Sequence, residues 1–331
     1  MSAQTDAPES TNGAGGAVGG IDLGGTKIEA IITDRSHRVL GSARHPTPTS
    51  GGPADVANAM AAALTEAAKA AQLEPAQLGG VGVGSPGTID SDAGTVAHAD
   101  NLPGWLAPFP LAAALHSALG TRIVLGNDVA VATTAEFELG AGRPYDSLLG
   151  VFWGTGIGGG LVLDGKLWRG RGAAGEIGHT VIRQGGRRCP CGRRGCLEAY
   201  AGRAAMEAHA RRMHDHGAGT KLFELAAEHN RDRLTSGIWE RALEHGDKVA
   251  TRLIDRAVTA LGAGVASAVN LLDVEAVVIG GGLGVRFGEP YRVRIVDAMM
   301  PHLFNDTRPP AVHVASLGDL GGALGASLLV Q

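Results

Sequence analysis

The sequence predicts an α/β protein of two lobes, one of which carries a metal-pinned loop. Three observations predict it. The chain has 331 residues, more than one small core accommodates. A strand, a glycine turn and a return strand occur twice, at residues 17–33 and 147–163, about 130 residues apart, which suggests a duplicated lobe. All three cysteines, Cys189, Cys191 and Cys196, fall within eight residues. Three thiols so close in sequence cannot all pair as disulfides, whereas a structural Zn²⁺ asks for four nitrogen or sulfur donors in a tetrahedron.

In chain order, residues 1–16 (MSAQTDAPESTNGAGG) read as a disordered tail without the basic and apolar regions of a signal peptide. Strands follow at 17–22 and 27–33 around Leu23-Gly24-Gly25-Thr26, with a third at 39–44 and a Pro/Thr/Ser/Gly loop over 45–53. The spacing of Val56, Met60, Leu64 and Ala67 predicts a helix over 55–73 with one apolar face. A glycine-laced strand at 81–84 runs into the turn Ser85-Pro86-Gly87, and 88–110 reads mostly as loop. A helix at 111–119, a buried strand at 122–125 and a helix at 128–139 follow. The pattern then restarts with a strand at 147–153, a glycine turn at 154–159 and a return strand at 160–163. Beyond the cysteines lies a helical region over 202–270, whose last helix carries Val249, Leu253, Leu261, Val265 and Val269 as an apolar stripe. Strands at 276–279 and 311–315 lead into Gly280-Gly281-Gly282 and into a small-residue C-terminal helix.

Composition bounds the function. A net charge of −4 argues against a general nucleic-acid binder, and no apolar run of 18 residues exists to span a membrane. Thiols in a metal-like pattern suit a reducing cytosol, so a cytoplasmic protein is expected. The 52 glycines come in clusters, as phosphate-cradling turns require. In Ile21–Lys27 an acid, Asp22, ends a strand, and two glycine amides and the Thr26 hydroxyl follow; a plain hairpin turn uses Gly-Gly equally well. The second turn, from Gly154, is richer in glycine than a turn needs, and two such turns could clamp a polyphosphate. Asn127-Asp128 follows an apolar strand and opens a helix: either a helix cap, or a carboxylate at the strand end where α/β sites gather.

The cysteine run CPCGRRGC supplies three metal ligands, and His179, ten residues upstream, is the nearest fourth, with His209, His214 and His216 as rivals. Closing His179 onto the cysteines would bring Glu176 and Glu198 near one another and make a polar pocket on a metal-pinned scaffold. Arg187, Arg188, Arg193 and Arg194 would offset the excess negative charge of three thiolates on Zn²⁺. A zinc-knuckle contact to nucleic acid is the weaker alternative for them.

Together IDLGGTK, NLPGW, GND, GTGIGGG, GEIGH, CPCGRRGCLE and VVIGGG resemble the ROK family of sugar kinases and sugar-responsive repressors, over residues 18–329. The resemblance implies an actin-like, ribonuclease H-like ATPase fold with two α/β lobes around a cleft. The N-terminal lobe would span 17–140, completed by 317–331, and the C-terminal lobe 141–316, with the zinc loop at 179–196. Family repressors carry a helix-turn-helix segment ahead of the first motif; here a low-complexity tail stands there, which resembles the kinase branch. By the same resemblance Asp128 is the general base. It takes a proton from a hexose hydroxyl, the primary one at C6, as that oxygen attacks the γ-phosphate of ATP. Asn101, Asn127, Glu176, His179 and Glu198 hold the other hydroxyls. Asp22, Gly24, Gly25, Thr26 and Lys27, with Gly154, Thr155 and Gly156, surround the phosphates and Mg²⁺, and Gly280, Gly281 and Gly282 lie against the adenosine. Glucose is the first expected substrate; N-acetylglucosamine, N-acetylmannosamine, mannose, fructose and a non-catalytic sugar-sensing role are alternatives. Inorganic polyphosphate replaces ATP in some relatives, and a homodimer or higher homo-oligomer is implied. Trp153, before GTG, stands where many members have a smaller or aliphatic residue, a change expected in the cleft wall.

Overall fold

The computed structural model describes residues 16–99 and 102–331; residues 1–15 of the expected tail and Asn101 lie outside them. The described residues form two compact units, one running to Val131 and completed by Gly322–Gln331, the other Ala132–Gly321.

The first unit is built on a five-stranded sheet. Strand β1 (Val18–Leu23) pairs antiparallel with β2 (Lys27–Thr33), and β2 with β3 (Val39–Pro46). On its other side β1 runs parallel to β4 (Val81–Ser85), and β4 to β7 (Ile123–Asn127). Helix α1 (Pro53–Ala70) starts two residues earlier than its apolar spacing suggests, because Pro53 suits a first helical position. It buries the face expected for it, Val56, Met60, Leu64 and Ala67, against the sheet and against α2 (Leu111–Leu119). The opposite face is bare where it meets α10 (Gly321–Leu328): Gly20 and Gly82, register partners on β1 and β4, lie against the backbone of Ala323 and Ala326. A side chain at either glycine would drive the helix off the sheet, so Gly20→Val is expected to destabilise this unit by about 1–3 kcal/mol in a denaturant titration.

The second unit repeats the topology. Strands β8 (Leu148–Trp153) and β9 (Ile157–Leu163) form the antiparallel hairpin, and β11 (Ala276–Gly280) and β12 (Ala311–Val314) add in parallel beyond β8. The short β10 (Lys166–Leu167) takes the outer edge, giving an order of β10-β9-β8-β11-β12 to match β3-β2-β1-β4-β7. After α6 (Leu222–Glu228) and α7 (Ser236–Glu244), helix α8 (Lys248–Leu272) carries the predicted apolar stripe into the core and is capped by Asp247, which accepts from the Ala250 amide at 2.8 Å.

The structure departs from the sequence reading in three places. The expected loop 88–110 contains a small hairpin, β5 (Thr88–Asp90) with β6 (Thr95–Ala97). The second glycine turn is shorter than read, because Ile157 already pairs with Trp153 and the glycines at 158–160 are extended in β9. Finally, α9 (Gly281–Met299) forms where the sequence reading places no element. It forms in two pieces: Gly288, at φ 54° and ψ −146°, breaks the helix, so Pro290 falls in the first turn of the second piece, where its missing N–H costs nothing.

Candidate functional site

In the first unit the C-terminal ends of three adjacent parallel strands gather polar groups. Asp22 on β1 is in register with Gly84 on β4, and Ser85 with Asn127 on β7. The turn after β1 is braced by Thr47, whose hydroxyl donates to the Gly24 carbonyl at 2.7 Å, while the Gly24 amide donates to Lys27 O at 2.9 Å. Helix α3 (Asp128–Glu138) begins directly at the end of β7. Its cap is Asn127: Oδ1 accepts from the amides of Val129 and Ala130, both at 3.1 Å. The two readings of Asn127-Asp128 thus divide between the residues, with the cap falling to Asn127 and the first-turn carboxylate to Asp128, which also accepts from Val129 N at 2.9 Å.

Asp22 keeps some exposed surface, but protein closes around its carboxylate; a Cβ at Gly322, in the first turn of α10, would lie 2.5 Å from Oδ2. Desolvation, and then the charge of Asp128, raise its pKa to about 7, against a smaller opposing pull from Lys27. Between the ordinary carboxylate range and pH 7 the folded protein therefore holds a proton that the unfolded chain has lost. Stability should fall as pH rises through that window, by an amount on the order of a few kcal/mol. Melting temperatures measured from pH 5 to 8 without ligands should decline more steeply for the wild type than for Asp22→Asn, which keeps a neutral group throughout.

In the second unit His179, Cys189, Cys191 and Cys196 come together, their ligand atoms all within 4.8 Å of one another. No disulfide joins the cysteines. Four donors on a metal with bonds of about 2.3 Å to sulfur would set neighbouring sulfurs about 3.8 Å apart. Cys191 Sγ and Cys196 Sγ are 3.8 Å apart, and Cys189 Sγ is 3.8 Å from His179 Nδ1. The donor set and its spacing fit a tetrahedral ion. The loop folds back because Gly195, at φ 87°, packs against Arg183 where no side chain fits. Burial pushes the Cys189 thiol up, whereas hydrogen bonds from Arg193 and the neighbouring thiols outweigh burial at Cys191 and bring it down to about 7. Of the four arginines expected to offset the thiolates, Arg193 donates to Cys191, while Arg187 lies over the Tyr200 ring instead, 5.0 Å from its centroid.

Glu198, two residues after Cys196, opens α4 (Glu198–Ala201) and links the cluster to the glycine turn. Its Oε1 is 3.8 Å from Cys189 Sγ, and its Oε2 accepts from the Ile157 amide at 2.9 Å. Glu176 is on the other side of the ring of His179, with Oε2 3.9 Å from Nε2. The turn Gly154-Thr155-Gly156 is held by α5 (Arg203–Asp215): the amides of Arg203 and Ala204 donate to Gly154 O and Thr155 O. Arg203 also donates to Thr155 Oγ1 at 2.7 Å and to Leu234 O at 2.7 Å, a positioning role that nothing in its local sequence signals. Beside the turn, β11 ends at Gly280 and α9 begins; Gly281, at φ 77°, lies against the Trp153 backbone, and Gly282 N is 3.9 Å from where a Gly154 Cβ would stand.

A Cβ on Gly156 would collide with the Glu198 carboxylate. Gly156→Val is therefore expected to raise KM for both substrates that the sequence resemblance implies, sugar and ATP, and steady-state kinetics with each varied in turn checks it; an effect on neither, in folded protein, would remove both residues from the site.

One expectation needs correction. Trp153 does not form part of an exposed wall: it is fully buried, donates to Ala201 O at 2.7 Å and packs edge-on against Phe287. The rival histidines stay out of the metal cluster, His209 and His214 on α5 and His216 at its end, where its Nδ1 is 2.6 Å from Arg212 O. Among the described residues the site groups thus fall into two sets, Asp22 to Lys27 with Asn127 and Asp128 in the first unit, and the remainder in the second.

The ROK family model matches residues 18–331. A glucokinase of Thermotoga maritima is 32% identical over 317 residues, covering 94% of this chain and 96% of the relative. An N-acetylmannosamine kinase of Yersinia pseudotuberculosis is 33% identical over 307 residues, covering 92% and 97%. Among solved structures, a ROK family glucokinase from Streptomyces griseus in complex with glucose and AMPPNP superposes with a TM-score of 0.79 at 32% identity, covering 95% of this chain and 99% of that one.

Proposed function

The chain belongs to the ROK family, and from that premise we propose that it is an ATP-dependent hexose kinase that converts glucose to glucose 6-phosphate. Relatives named glucokinase over nearly the whole chain support sugar phosphorylation. The observation that carries the mechanism is the division of labour at the end of β7: Asn127 caps α3, and Asp128 brings a second carboxylate close enough to Asp22 to raise its pKa.

In this reading Asp128 accepts the proton of the sugar hydroxyl as its oxygen bonds to the γ-phosphorus and the bond to the ADP oxygen breaks. The carboxylate aligns the nucleophile, and the remainder of catalysis is positioning and charge stabilisation. His179, Glu176 and Glu198 hold sugar hydroxyls; the amides of Gly24, Gly25, Gly154 and Gly156, with Thr26, Lys27 and Thr155, hold the phosphates, and Gly280–Gly282 the adenosine. Asp22 suits Mg²⁺, because a carboxylate whose charge is disfavoured by burial gains most from a cation; Mg²⁺ when bound supplies charge neutralisation on the phosphates. Zn²⁺ is the ion whose coordination the His179 and cysteine donors fit, with a closed shell and a structural part.

A panel of glucose, mannose, fructose, N-acetylglucosamine and N-acetylmannosamine, crossed with ATP and polyphosphate, tests the proposal by phosphosugar formation. Glucose with ATP should give the highest kcat/KM. A preference for an N-acetylated sugar would move the substrate, and sugar binding without any turnover would replace the kinase by a sensor.

A further inference from the structure

A cavity of about 840 Å³ in the second unit shares no lining residue with the groups assigned above to sugar, nucleotide or metal. Its walls include Arg183 and Arg187 from the metal loop, Tyr200 from α4, and Asp255, Arg256 and Thr259 from α8. Its size falls in the range of small-molecule sites, roughly 300–1,000 Å³. The charge inside it is unbalanced. Asp255, the one carboxylate among the lining residues, is engaged by Arg294 at 2.6 Å. Among the described residues Arg183, Arg187 and Arg256 have no carboxylate partner. All three line the same cavity, Arg183 and Arg187 from the loop and Arg256 from α8. The same field reaches His209: after burial, the charges of Arg187, Arg212, Arg256 and Arg252 hold its pKa down to about 4.

None of the three cysteines lines this cavity. Arg187 is held ready: its guanidinium rests on the Tyr200 ring, and its amide donates to the Tyr200 hydroxyl at 3.0 Å. Three guanidiniums converging from two elements, with their like charges uncompensated, match an anion of at least two charges with several acceptor oxygens, which phosphate groups supply in the planar geometry arginine prefers.

We propose that this cavity binds a small, multiply charged phosphate compound through Arg183, Arg187 and Arg256, with the Thr259 hydroxyl as a further donor. Arg187 lies two residues before Cys189, and Tyr200 two residues after Glu198, so the ligand would rest on both arms of the metal loop.

Calorimetric titration of the full chain tests this with two probes, inorganic pyrophosphate and a hexose bisphosphate, which separate an oligophosphate from a phosphate ester as the better ligand. Titrations run with glucose and a non-hydrolysable ATP analogue already present. Saturable binding of at least one probe is expected, weakened at least about tenfold in Arg183→Gln/Arg256→Gln, as loss of two charge-assisted hydrogen bonds requires. Both side chains are exposed, so an unchanged melting temperature should show that the variant folds. The replaced residues lie outside the groups assigned to phosphoryl transfer, and this result stands or falls apart from the kinase assignment. Absence of saturable binding at millimolar probe, or equal binding by the variant, overturns the proposal. A variant that changes sedimentation while neither probe binds the wild type would make the cavity a subunit contact, and the proposal falls.

Discussion

Asp128→Asn should lower kcat by about 10²–10⁴ while KM for the sugar changes far less. The substitution keeps the shape of the side chain and an oxygen that can accept from Val129 N, a bond of 2.9 Å in the native protein. It leaves the start of α3 intact, because the two-amide cap belongs to Asn127. What it removes is the proposed proton acceptor. It also removes a negative charge beside Asp22, so the Asp22 pKa should fall and the apo variant should melt higher than the wild type above pH 7. Steady-state kinetics and melting curves on the same preparations separate the two effects. Near-normal kcat would end the assignment of Asp128 as base and leave it a first-turn helix residue.

Loss of the metal should cost sugar affinity first and most. With Nδ1 of His179 turned to Cys189, Nε2 is left toward Glu176, at 3.9 Å. A metal on Nδ1 keeps the neutral ring protonated on Nε2, which makes that nitrogen a fixed donor. Glu198 depends on the same loop, two residues from Cys196 and bonded to the Ile157 amide. Cys191→Ser or thorough chelation should therefore weaken sugar binding by at least about tenfold, the lower end of what disturbed metal surroundings cost. The turn after β1 has its own brace in Thr47, within the other unit, and its contacts to nucleotide should survive. Metal analysis with sugar and nucleotide titrations on wild type and variant decides it. A preparation made without chelators that contains no zinc, or sugar affinity that survives the loss of zinc, breaks the link.

Much of the architecture is legible in the sequence. Hairpins at both glycine turns, the buried faces of α1 and α8, and the short strands β4, β7 and β11 follow from local periodicity, because apolar spacing is imposed by the same geometry that forms the element. The candidate metal ligands were legible for a similar reason, since three of the four are neighbours in sequence. Where local signals conflict with packing, the sequence misleads: no helix is read between β11 and β12, yet α9 forms in two pieces around Gly288, with Pro290 in the first turn of the second.

The sequence by itself determined the two-lobed α/β class, the cysteine cluster and the residue types at the strand ends. Only the tertiary structure closed His179 onto the cysteines, assigned the cap to Asn127 rather than Asp128, buried Trp153 and brought Arg203 to Thr155. Each of those is a meeting of side chains from different elements. Such meetings depend on how far and in what direction folded elements carry their side chains, which spacing along the chain does not encode.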